Sequence, residues 1–194
     1  MTDERREFFR IDDSVQVSYH TIPASELPAS IDDRLQNDRF SVMTRMQVIS
    51  QHLSASLHRI EQRDPDVADY LKALDEKINL LGQSFLAEES DLLGQPSRSV
   101  NLSAGGLAMD IAEPLAIGDH IEIKLLLLPS YTGVLAYGEV VGLEASQEAD
   151  SDYPHHVRIN FTLIRDTDQE ALIRHIMRRQ GEMLRQRREQ QGLT

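Results

Sequence analysis

The sequence predicts an α+β chain: a small antiparallel β unit, interrupted by a long helical section and followed by a C-terminal helix. Three observations carry this. Residues 14–19 alternate strictly between polar and apolar, the pattern of a half-buried strand. Residues 42–85 carry apolar side chains at alternating three- and four-residue spacing, the period of a helical seam. From about Arg98, short apolar runs separated by turn residues suit a sandwich or small barrel.

In the first strand, Val15, Val17 and Tyr19 share one face. Pro23 and Pro28, among serine and alanine, then read as a linker. The helical section follows in two parts. Val42, Met46, Ile49, Leu53 and Ile60 mark the first stripe, with Ser56 at one seam position and Leu57 widening it. Asp64-Pro65 is a helix start, an N-cap followed by proline at the first helical position. Val67, Leu71, Leu74, Ile78, Leu81 and Phe85 continue the heptad as far as about Glu89. Two helices, possible partners in a hairpin, are therefore expected, with a coiled-coil-type seam that a small barrel alone cannot bury. Strands are expected at Gly106–Ile111, His120–Leu128, Tyr131–Leu143 and His156–Leu163, with an acidic loop from Ser146 to Asp152. Thr167-Asp168-Gln169-Glu170 reads as a capping box. It opens a last helix with one apolar side, weakened at Gly181.

Composition narrows the function. The chain of 194 residues has no cysteine, which excludes disulfides, thiol chemistry and zinc–thiolate sites. Its formal net charge of −12 argues against general nucleic-acid binding, which requires a basic footprint. An anionic small ligand needs only a local positive site, and Arg5, Arg6 and Arg10 could supply one. A start that is charged at once, and apolar runs too short to span a bilayer, lead us to expect a cytoplasmic protein without membrane insertion.

Two stretches carry candidate chemistry. Asn101-Leu102-Ser103-Ala104-Gly105-Gly106 places an amide and a hydroxyl on a permissive backbone, suited either to a tight turn or to a flat polar ligand. Arg5-Arg6-Glu7-Phe8-Phe9-Arg10 sets two arginines four apart around two aromatics. Arginine's planar fork matches phosphate oxygens and the O6/N7 edge of guanine.

Arg-x-x-x-Arg near the start and Asn-x-Ser-x-x-Gly ahead of a β run together resemble the PilZ family. The likeness continues in Glu113–Asp119, Gly138–Val141 and Val157–Phe161, and covers roughly the first twenty residues and everything after about residue 96. The resemblance implies a small antiparallel β-barrel that binds cyclic di-GMP, contacted here by Arg6, Arg10, Asn101, Ser103 and Gly106. Arg5 would add charge beside the arm, and Gly105 would give the ligand room. The first ten residues, anchored only by Phe8 and Phe9, are expected to order on binding. About ninety positions separate Arg10 from Asn101 here. This resembles an atypical subgroup with long inserted helices that associate with copies of themselves. The expected division is residues 1–28 and 94–194 for the barrel and C-terminal helix, and 29–93 for an oligomerising insertion.

No catalytic motif competes with this reading. Ser103 lacks the glycine that a nucleophile elbow places two residues before it. His155 and His156 would face opposite sides of a strand, and His52 and His58 stand six apart on a helix, so neither pair suits a metal. His175 lies beside an apolar helix face and reads as a partly buried side chain. The arginines late in the last helix suit its own dipole. The expectation is a non-enzymatic receptor for cyclic di-GMP, free of cofactor and metal, forming a dimer or tetramer and relaying to an unidentified protein. A non-binding scaffold acting through oligomerisation is the alternative.

Overall fold

The computed structural model describes residues 9–31, 39–89, 96–146 and 152–190. Its strands are β1 (Arg10–Ile22), β2 (Arg98–Ser103), β3 (Gly106–Ile111), β4 (His120–Leu127), β5 (Thr132–Ala145) and β6 (His155–Ile164). They form a closed barrel in the order β1-β2-β3-β6-β5-β4. Of the two architectures that the strand spacing allowed, the barrel is the one adopted. Closure rests on β1, which is long enough to serve two neighbours. Arg10–Val15 pair with β2 and Gln16–Ile22 pair with β4, both antiparallel. Alternation then sends Ile11, Val15 and Val17 into a core with Leu102, Leu107, Met109, Ile121, Ile123 and Ile159.

The polar hexapeptide is mostly strand. Asn101 and Ser103 pair with Asp12 and Arg10 on one side and with Ala108 and Gly106 on the other. Only Ala104 and Gly105 form the turn. With a neighbour on each side, the β2 backbone has its hydrogen-bonding groups paired, and that overrides the local turn preference of Asn and Ser.

The insertion is a helical hairpin of α1 (Arg39–Glu61) and α2 (Pro65–Glu89). Asp64 caps α2, accepting from the Val67 N–H at 3.2 Å. Near the turn Lys72 donates to Glu61 at 2.6 Å, and this bond holds the Glu61 carboxyl below its ordinary value. Further along, Ser50 donates to Asp75 at 2.9 Å. Met46 of α1 packs on an outer cluster of Leu126, Leu135 and Tyr137, which seats the hairpin on the barrel wall. Most of the seam stays open. Val67, Leu71, Leu74, Ile78 and Leu81 remain exposed, and several of them border an apolar groove of about 360 Å³ shared with Ile49, Leu53 and Ile60. The side chains of Val42 and Phe85 lie outside the described ones.

The last helix, α3 (Asp166–Gln190), starts one residue before Thr167, so Thr167 is not its cap. Asp168 has turned inward instead. It is fully buried and accepts from the Leu135 N–H at 3.3 Å and from Arg165 at 2.9 Å. A buried carboxylate needs such partners, and that requirement outranks a surface cap. Gly181 sits inside uninterrupted helix. Leu172 and Ile176 join the barrel core. One turn on, His175 is 4% exposed and donates through Nε2 to Asp13 at 2.6 Å. It is thus fully rather than partly buried. Arg179 donates to the other Asp13 oxygen at 2.9 Å.

Burial alone would raise the Asp13 carboxyl. Hydrogen bonds from His175, the Ser14 N–H and Arg179 outweigh it and hold the group below the ordinary carboxylate value. A depressed carboxylate contributes stability above its unfolded-state value and loses it as the pH falls through the folded one. Asp13→Ala is therefore expected to cost about 3–5 kcal/mol at neutral pH, because it strands the buried His175. The gap between parent and variant should narrow as the pH falls below the ordinary carboxylate value and through the lowered folded one, where the parent's carboxyl takes up its proton. Urea unfolding of both proteins across that range measures it.

Candidate functional site

Two motifs 91 positions apart meet on the outer face of β1 and β2. Arg10 Nη1 donates to Asn101 Oδ1 at 3.0 Å, and Asn101 Nδ2 donates to Asp12 Oδ1 at 2.7 Å. The geometry follows from the barrel. Ile11 and Asp13 point inward, so Arg10 and Asp12 point out, and antiparallel register sets Asp12 opposite Asn101. The same row continues to Ala108 on β3 and Arg158 on β6. Four strands at about 4.8 Å spacing make this a strip roughly 14 Å across.

Beside Asn101 lies a groove of about 400 Å³ walled by Asp12, Arg98, Asp110, Tyr153 and His156. The Arg98 guanidinium lies 4.1 Å from the centre of the Tyr153 ring and donates to the Asp110 carbonyl. Asp110 is held from both sides, by His156 Nδ1 at 2.6 Å and by the Ser146 hydroxyl at 2.8 Å. The groove therefore offers a donor that suits phosphate, through Arg98, and Arg10 adjoins it through Asn101. It also offers carboxylates that suit the N1–H and N2–H edge of guanine, and ring faces for stacking.

The expected site residues divide into three groups. Arg10 and Asn101 are in contact. Arg5 and Arg6 lie outside the described residues. Arg10 itself is the first residue of β1, so the expected mobile arm does not extend to it. Ser103, Gly105 and Gly106 are engaged in the barrel. Ser103 is 3% exposed and donates to the Gly106 carbonyl at 3.0 Å, closing the β2–β3 turn. The Gly105 carbonyl accepts from the Phe161 N–H at 2.9 Å. A Cβ on Gly106 would stand 2.2 Å from the Ile159 carbonyl oxygen, so glycine is required there by the close approach of β6. The described residues with left-handed φ are Gly118 and Tyr131, so this glycine pair is not used for a left-handed turn.

Sequence reasoning did not place Asp12, Arg98, Asp110, Tyr153, His156 or Arg158 beside the two motifs. The signal for Asp12 was present in the β1 alternation. Arg98 and Tyr153 are 55 positions apart and meet only through the fold.

The PilZ domain family model matches residues 79–178, more than half of the chain. The chain belongs to the PilZ domain family. The match begins inside α2 and takes in Asn101, Ser103 and Gly106, while Arg10 precedes it. A crystal structure of a pathogenic protein from Xanthomonas campestris is similar over 92% of this chain and 90% of that one, with a TM-score of 0.59 and 12% identity. That protein is described as a tetrameric PilZ domain self-assembled via an unusual helical bundle. The inhibitor of motility MotI/DgrA of Bacillus subtilis aligns over 93% of this chain and 53% of its own, with a TM-score of 0.46 and 14% identity. No curated protein matches the chain. Among the described residues of this PilZ protein, no group of three or more metal-ligating side chains could hold a metal ion. No helix among them is long and apolar enough to cross a membrane.

The site geometry separates two kinds of substitution. Gly106→Val should destabilise the barrel by about 3 kcal/mol or more, since a backbone carbonyl cannot yield the space. Asn101→Ala removes two partly exposed hydrogen bonds and should cost about 1 kcal/mol. Thermal melts of the two variants test this, and a Gly106→Val protein melting with the parent would contradict the close approach.

Proposed function

We propose that this PilZ protein is a non-enzymatic receptor for cyclic di-GMP, and that the outer strip of β1 and β2 is its binding surface. The observation that carries the reading is the 3.0 Å bond between Arg10 and Asn101, which brings the two candidate motifs together across the insertion. Arg10, with Arg6 and Arg5 before it, takes the phosphates and the O6/N7 edge of guanine. Asn101 and Asp12 pair with a guanine edge. Phe9, 59% exposed next to Arg10, is placed to stack on a base. Ser103, Gly105 and Gly106 serve the site by fixing the turn behind Asn101. Family membership supports the ligand class, and Arg98 supplies a further cation in the adjoining groove.

The same proposal includes self-association through the helical hairpin, as a dimer or tetramer. Its support is the row of exposed apolar side chains on α2, from Val67 to Leu81. Each one buried against another copy contributes about 1.5–3 kcal/mol, and such stripes are rarely left in water. The described self-assembly of the Xanthomonas campestris protein through a helical bundle is consistent with it.

Calorimetric titration with cyclic di-GMP tests the receptor reading. Each charge-assisted hydrogen bond is worth about 1.5–3 kcal/mol, so Arg10→Ala or Arg6→Ala should weaken binding roughly ten- to a hundredfold. Arg10→Lys should not restore it, since the fork is lost. A parent that gives no binding heat would leave the scaffold role. Assembly is checked separately by light scattering. Leu74→Asp with Ile78→Asp should convert the oligomer to single chains, and a parent mass near 22 kDa would refute self-association.

A further inference from the structure

A second cavity lies away from the β1–β2 strip, at the junction of the insertion, the β4–β5 turn and α3. It measures about 350 Å³ and is lined by Ser54, Ser130, Thr132, Arg174, His175 and Arg178, with Ala171 at its base. At roughly 30 Å³ per water, this is room for a tetrahedral oxyanion and several waters. In a chain of net charge −12, its lining contains two arginines and no carboxylate.

The side chains are disposed for an anion. Arg174 and Arg178 stand four apart on α3, hence on one face, one turn above the other. Their acidic neighbours hold them loosely. Glu170 is 3.4 Å from Arg174, and Glu182 is 3.9 Å from Arg178. Both are exposed helix-surface pairs of the kind that contributes little. Arg178 also donates toward His175 Nδ1 at 3.2 Å, while the far side of that ring is fixed by Asp13. The guanidinium is thereby oriented by a buried side chain. The Ser130 and Thr132 hydroxyls, also in the lining, are 2.8 Å apart. Ser130 also donates to the Leu127 carbonyl at 3.3 Å, so the Thr132 proton is the one that a ligand would draw away from Ser130. Thr132 is 2% exposed, so its hydroxyl belongs to the cavity wall and not to open surface.

We propose that this cavity binds a phosphate-type oxyanion, either free phosphate or a phosphoryl group carried by a larger molecule. Arg174 and Arg178 form its cationic side, and the Ser130–Thr132 pair its hydroxyl side. Ser54 of α1 lies at the rim, so an anion bound here ties the hairpin to α3. The site is independent of the cyclic di-GMP reading, because it shares no residue with the β1–β2 strip.

The test is calorimetry and thermal melting of the full chain with sodium phosphate, at ionic strength held constant with sodium chloride. The expected result is saturable binding of one phosphate per chain with a matching rise in melting temperature. R174Q with R178Q should weaken it at least tenfold, while R185Q with R187Q, further along α3, should bind as the parent does. Phenyl phosphate distinguishes the two sources. Binding of both compounds assigns the site to carried phosphoryl groups, and binding of phosphate alone assigns it to the free anion. No saturable effect of either compound on the parent would overturn the proposal. So would equal binding by the R174Q/R178Q protein, or equal loss in the R185Q/R187Q control, which would reduce the effect to net charge. Circular dichroism of both variants checks that α3 is intact.

Discussion

Barrel closure by β1 is the constraint on which the rest of the structure depends. One strand pairs with β2 through its first half and with β4 through its second, so the sheet has no free edge at that point. Because side chains alternate, that placement also fixes three functional directions. Ile11, Val15 and Val17 fill the core; Asp13 meets His175 and Arg179 of α3; Arg10 and Asp12 reach Asn101 on the outside. A slip of one residue in β1 would exchange all of these at once. The long insertion is tolerated for the same reason. Loop-closure cost grows only slowly with length, and the insertion folds into a hairpin with its own hydrogen bonds.

Much of the fold was legible in the sequence because its signals are periodic. The alternation at 14–19, the two heptad stripes and the Asp64 cap all correspond to observed elements. What was not legible depended on partners distant in the chain. Asn101 and Ser103 look like turn residues until β1 and β3 are placed beside them. Asp168 looks like part of a capping box until the Leu135 N–H and Arg165 draw it inward. His175 looks half-buried until Asp13 is found facing it from 162 positions away. For Asn101 and Ser103 strand pairing outweighed a local turn preference worth about 1 kcal/mol, and for Asp168 and His175 a tertiary hydrogen bond in the interior decided.

The site was legible in part, and the division is physical. A motif of small polar residues and glycines has two causes that sequence cannot separate, a ligand's need for space and a neighbouring strand's. For Gly106 the neighbour is present, since the Ile159 carbonyl fills the place of a side chain. For Asn101 the partners are Arg10 and Asp12, both polar and both on the outer face. The groove residues Arg98, Tyr153 and His156 carried no motif of their own. They become candidates only because β2, β3 and β6 are adjacent in the barrel.

The strip is internally hydrogen-bonded, and this bears on how any ligand would act there. The carboxylate of Asp12 and the guanidinium of Arg10 already share the two ends of the Asn101 amide. A guanine or phosphate must replace these bonds, so the free energy of binding is a difference between hydrogen bonds made and broken. The direction of that exchange favours a charged ligand. Arg10 now donates to a neutral amide oxygen, whereas a phosphate oxygen would set a full negative charge against the guanidinium. Releasing Asn101 from Arg10 frees its amide oxygen for a base. Arg10 and Asp12 are thus linked through the Asn101 amide.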